Sequence, residues 1–233
     1  MFIDPASSCA TLSVLFAGYA IAEWANHVRE NRLLRVILCD LFGDRWNGRI
    51  ESRDQLLVIK RYLGDRIRPG DEPVNKRRPV LRHSAVEILA AERGFCGENA
   101  RVAIRLLSLG GLRARRIYLW SHLWGHVACE FWWDGTWKLF DSYHEPDFEV
   151  SEDAIGLIDS NEFEKYPNQT RENPWVEMHR LKFARGCPVL SHMSRMKLPY
   201  PLCGFVESPS MIRCGFSGLL AVLSALLACS YQA

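Results

Sequence analysis

Two runs of alternating residues, HVACEFWW and TWKLFDSY, meet at Asp134–Gly135, and this junction restricts the fold more than any other stretch. Asp-Gly between aromatic and β-branched residues suits two consecutive left-handed backbone positions, the turn of a tight antiparallel hairpin. An isolated hairpin is barely stable in water, so it needs further strands or a helix to cover a face. The preceding run ARRIYLW, from about Arg113 to Trp120, supplies a third strand. Everything before it reads as helix. Helices followed by hairpin-linked strands give an α+β chain with a helical N-terminal half packed on an antiparallel sheet.

The helices follow from apolar spacing. Residues from about Ser8 to Phe42 keep a helical period, with an interruption expected near Glu30–Asn31. A second helix is expected over Arg53–Arg66, where Leu56, Leu57, Ile59, Lys60 and Leu63 recur at three- and four-residue steps. Ser84 with Glu87 three residues later forms a capping box ahead of AVEILAAE, which stops at Arg93–Gly94. The next helix begins beside Cys96 and ends at Gly110–Gly111. Beyond Asp147 the pattern weakens; PWVEMHRLKF reads as one more strand, and residues 186–213 as an irregular linker. The expected organisation is one domain over 1–185, with a helical part at 7–66 and its motifs at 84–143, then the linker and an apolar tail at 214–233.

Composition narrows the function classes. With 233 residues, 48 % apolar and 24 % charged, the chain can bury a sizeable core. A net charge of +2 gives no reason to expect nucleic acid, and the basic stretch from Lys60 to Arg82 reads as a solvated connection. None of the eight cysteines falls at C-x-x-C spacing and no Cys/His set has zinc-site spacing, so no metal or other cofactor is expected. Most are read as reduced, buried and small.

The exception is Cys96, in GFCGENA. At a helix start, unpaired N–H groups and the helix dipole favour a thiolate. Gly94 and Gly97 are expected to leave room for a carbonyl to approach backbone N–H groups, with that of Cys96 as one oxyanion donor. Counting outward from a two-residue turn sets Trp133 against Thr136, Ala128 against Asp141 and His126 against Tyr143. His126 and Asp141 then share a face as diagonal neighbours, about 7–8 Å apart in backbone. A carboxylate there can hold one ring nitrogen and leave the other for sulfur. Each residue alone has an ordinary explanation, as an inert thiol, a structural histidine and a strand-end cap. Their order along the chain favours nucleophilic catalysis.

GFCGENA, LLSLGGLRARRIYLW, HVACEF and TWKLFDS together resemble the transglutaminase-like superfamily of papain-like cysteine enzymes. Gly94, Cys96, Gly97 and Glu98 match its nucleophile motif. Gly111, Leu112, Ala114 and Arg115 match the following strand, His126 and Glu130 the histidine strand, and Trp137, Phe140 and Asp141 the acid motif. Ala128 departs from the pattern where an aromatic is common, which bears on substrate preference. The resemblance spans about Ser84 to Tyr143. It implies a Cys96–His126–Asp141 triad and a thioester formed from an amide, released by water (protease or amidase) or by an amine (transglutaminase or other acyltransferase). The alternative is a non-catalytic binding or scaffold module of the same fold, in membrane-associated envelope or polysaccharide assembly.

Other polar residues carry weaker signals. Glu98 is expected to serve the helix start, Asn99 to lie near the site, and Glu130 to pair with an arginine such as Arg115. His122 and His144 read as loop residues. Trp120, Trp124, Trp132, Trp133 and Trp137 are numerous enough for a cleft wall, though core packing explains them equally. Asn168–Thr170 matches a glycosylation sequon without other signs of secretion.

Both ends are apolar. Residues 5–22 lack charge, but Asp4 and the helical continuation argue against a cleaved leader. Residues 214–233 lack charge for a length that as helix covers about 30 Å, with Arg195, Lys197 and Arg213 before them. A cytoplasmic domain associated with the membrane through this tail is expected; a crevice-filling terminal helix is the other reading.

Overall fold

The computed structural model describes residues 4–70, 83–120, 125–143, 177–179 and 207–231. Helix α1 (Pro5–Phe42) starts where Asp4 accepts from the Ala6 and Ser7 N–H groups, with Pro5 in the first turn. It runs unbroken through Glu30 and Asn31, contrary to the expected interruption. Those residues are polar because they bind neighbouring elements. Glu30 accepts from the Ala85 N–H at 2.8 Å and lies 3.6 Å from Arg105, and Asn31 accepts from the same guanidinium.

Helix α2 (Arg53–Arg66) opens on a Ser52/Gln55 capping box, and α3 (Ala85–Ala91) on the Ser84/Glu87 box expected from sequence. Two-residue strands β1 (Arg68–Pro69) and β2 (Arg93–Gly94) pair in parallel and bring the end of α2 beside the chain entering α4 (Cys96–Leu109). Then come β3 (Ala114–Trp120), β4 (Gly125–Trp133), β5 (Thr136–Phe140) and β6 (Glu177–His179), forming an antiparallel sheet in the order β5-β4-β3-β6. The turn has the expected geometry, with φ of +48° at Asp134 and +82° at Gly135. Trp133 faces Thr136 and Cys129 faces Phe140, the register obtained by counting from the turn.

One apolar cluster joins the layers. Leu34 and Leu38 of α1, Ile59 and Leu63 of α2, Ile104 and Leu106 of α4, and Phe131 of β4 meet in it. Burying each such side chain contributes about 1.5–3 kcal/mol. Because α4 packs by its apolar residues along the sheet, its N-terminus is fixed in position.

Helix α5 (Pro209–Ser230) begins before the tail expected at residue 214, with Ser208 as N-cap and Pro209 in the first turn. It does not fill a crevice. It lies along the N-terminal half of α1, and only 17 % of its apolar window is buried.

Candidate active site

Helix α4 presents Cys96 as its first residue. Its start is secured by Glu98, which accepts from the Phe95 N–H at 2.8 Å. Glu98 is therefore structural, as expected. Gly94 does not leave open room: a Cβ there would lie 3.1 Å from Glu98 Cβ and 3.3 Å from Ile67 Cγ2. Its missing side chain lets Glu98 fold back over the helix start, a packing role in place of the carbonyl access expected from sequence. Asn99 accepts from the Ser142 hydroxyl and so ties α4 to the residue after Asp141.

His126, near the start of β4, is buried at 1 % exposure, and its Nε2 is 2.5 Å from Asp141 Oδ2. The other carboxylate oxygen accepts from the Tyr143 N–H at 2.9 Å, so both are held. The Cys96 thiol interacts electrostatically with the same imidazole. With Nε2 engaged by Asp141, Nδ1 is the ring nitrogen left to exchange a proton with sulfur. The three segments thus bring sulfur, imidazole and carboxylate close enough to interact, with the His126–Asp141 hydrogen bond fixing the ring. Cys96 is only partly buried, whereas Cys129 on the same strand as His126 is sealed.

The electrostatics follow from these contacts. Burial pushes the Cys96 thiol up, but the hydrogen bond and charge of His126, with the Val127 N–H, bring it below the ordinary thiol value. Burial opposes the His126 imidazolium, yet Asp141 and then Cys96 raise it to about 9. The pair therefore shifts toward thiolate and imidazolium relative to an isolated cysteine and histidine. Cys129 shows the contrast: burial pushes its thiol well up.

Four further residues neighbour the pair. The Val127 N–H reaches the sulfur. Lys60 is 1 % exposed; burial lowers its ammonium to about 8 while Asp141 counteracts the fall. The Tyr143 ring lies 6.1 Å from His126, centroid to centroid. Arg116 interacts electrostatically with Cys96 and shares the Glu207 carboxylate with Arg101, at 2.5 Å and 3.3 Å. The hairpin count already placed Tyr143 opposite His126; nothing local signals Glu207, 91 positions from Arg116.

Glu130 pairs with Arg115 at 2.5 Å, as expected, and Arg115 stacks 3.6 Å over Trp137. Trp132 contacts Trp137 edge-on at 5.4 Å. These tryptophans lie at the turn end of the hairpin, six residues or about 20 Å from His126, and Trp133 packs on the core. The Trp120 and Trp124 side chains, His122, His144, the sequon and residues 71–82 fall outside the described residues. Among the described residues, no group of three or more His, Cys, Asp or Glu could hold a metal ion.

No family model matches the chain, and no curated protein matches it by sequence. Two solved structures are similar in three dimensions. A protein from Cytophaga hutchinsonii described as a "putative cysteine protease" has 19 % identity and a TM-score of 0.41, over 49 % of this chain and 38 % of its own. A protein described as a TGase has 13 % identity and a TM-score of 0.38, over 55 % and 36 %. The chain spans less than two fifths of either protein, and likeness at this level speaks to neither activity nor substrate.

Proposed function

We propose that the chain is a cysteine-dependent enzyme that attacks amide carbonyls through Cys96, with His126 as proton carrier and Asp141 as its orienting carboxylate. The observation that carries this reading is the meeting of a partly buried Cys96, whose thiol interacts with His126, and an imidazole that Asp141 holds through Nε2. In the first step, Cys96 Sγ adds to the carbonyl carbon and the oxygen becomes an oxyanion near the α4 N-terminus. The tetrahedral species expels the amine, which takes the proton from His126, leaving a thioester. Water then gives a proton to His126 and attacks the thioester carbon, and collapse of the tetrahedral species releases the carboxylic acid and the Cys96 thiolate, with the proton left on His126 for the next cycle.

Hydrolysis of a peptide or other amide is the simpler outcome, because release to an amine requires walls that exclude water. No cofactor is needed. Incubation with p-nitrophenyl acetate should acetylate Cys96, read by peptide mass. Cys96→Ala should remove the label at that position, and His126→Ala should slow it at least tenfold. A non-catalytic scaffold would label Cys96 no faster than the exposed Cys39, and that result would end the enzymatic reading.

A further inference from the structure

We infer that the N-terminal half of α1 and α5 together form a two-helix membrane hairpin, with the lipid bilayer core as its occupant. Three contacts fix the pairing as antiparallel. His27 Nδ1 hydrogen-bonds Ser208 Oγ at 2.8 Å, Arg213 Nε lies 3.0 Å from Glu23 Oε1, and the Ser13 hydroxyl donates to the Ala221 carbonyl at 2.9 Å. Residue numbers rise on one helix as they fall on the other.

The Glu23–Arg213 ion pair marks a common level. Beyond it neither helix carries a charge, over residues 5–22 of α1 and 214–230 of α5. At 1.5 Å per residue these lengths are about 27 and 26 Å, close to the thickness of a hydrocarbon core. Two segments some 200 positions apart thus have matched uncharged extents aligned by a salt bridge at one end. A water-facing pair has no need of that match.

The outer surfaces agree. Ala6, Ser217, Ala221 and Ala228 are buried, and small residues of this kind let helices approach closely in lipid. Val14, Ile21, Val222 and Leu226 point outward, at 72, 70, 57 and 62 % exposure. Only 6 % of the α1 apolar window is buried. Soluble monomers rarely expose contiguous apolar patches beyond a few hundred Å², and this surface encircles two helices. A cavity of about 700 Å³ beside Phe16, Phe216 and Leu220 also opens between them, with room for acyl chain.

The globular part lies on the Glu23–Arg213 side, where α1 continues with Arg29, Arg32 and Arg35. By the positive-inside tendency that side is cytoplasmic, and the Pro5 end of α1 and Ser230 end of α5 lie together on the opposite face. The inference is independent of the acyl-transfer reading, since it rests on the helix pair and not on Cys96.

The test uses the full chain with one epitope before Met1 and another after Ala233, in inside-out vesicles from the expressing cells. The protein should resist carbonate extraction at high pH. Added protease should remove the globular part while both epitopes stay protected. The double variant Val14→Glu/Val222→Glu should lower the carbonate-resistant fraction at least tenfold, although both positions face outward and such changes would be harmless in water. Exposure of either epitope, a detergent-free soluble oligomer, or loss of residues 1–22 by cleavage would each overturn the proposal.

Discussion

Replacing Asp141 by Asn tests whether the carboxylate sets the charge state of the site. Asp141 Oδ1 accepts from the Tyr143 N–H, and Oδ2 faces His126 Nε2. An amide that keeps the Tyr143 contact must turn its NH2 toward Nε2. That nitrogen becomes an acceptor, the ring proton moves to Nδ1, and the ring can no longer take a proton from sulfur. The carboxylate charge that lifts the imidazolium to about 9 is lost while burial continues to oppose it, so the His126 value should fall below its ordinary 6.5. A fall of more than two pH units corresponds to about 3 kcal/mol of lost support for the imidazolium, and the thiolate that it stabilises should diminish with it. Lys60, no longer held up by Asp141, should lose its proton below about 8 and avoid leaving a buried charge. The assay is the iodoacetamide rate at Cys96 from pH 5 to 10 by peptide mass, with circular dichroism to check folding. The wild type should react well below the usual thiol range and Asp141→Asn only near it. A folded variant with an unchanged profile would refute the charge coupling.

The same pair predicts different pH limbs for two reactions. Alkylation should rise as Cys96 loses its proton and then stay level, because only the thiolate is needed. Amide cleavage should fall again near pH 9, where His126 loses the proton owed to the leaving amine; cleavage that keeps rising past pH 10 would remove His126 from that role. Glu207→Ala should destabilise the protein by about 3–5 kcal/mol by denaturant melt, because it leaves Arg116 and Arg101 without their buried counter-charge. A loss under 1 kcal/mol would mean that water already screens them.

What could be read from sequence was local or periodic. Asp134–Gly135 and the alternation fix the strand register, and the register fixes how His126 stands to Asp141. Ser84 and Glu87 announce a helix because a capping box is complete within four residues. Glu30 and Asn31 misled for the opposite reason: their polarity answers partners at Ala85 and Arg105, which the local window does not contain. Gly94 looked like an opening because sequence cannot show that Glu98 and Ile67 fill the place of its side chain. The Glu207 cluster and the α1–α5 pairing join segments 91 and about 200 positions apart. No local rule reports on such distances. Cys96 stood out among eight cysteines only through its helix start, and its exposure came from the packing around it.

The shared carboxylate of Glu207 also governs how the protein can be shortened. It immediately precedes the terminal helix, and both guanidinium groups it neutralises belong to the elements that frame the nucleophile, α4 and β3. Trimming for work without detergent must therefore stop short of this joint. A cut just after Arg213 spares the anchor point, whereas one that removes Glu207 itself would unpin the scaffold under the reactive sulfur.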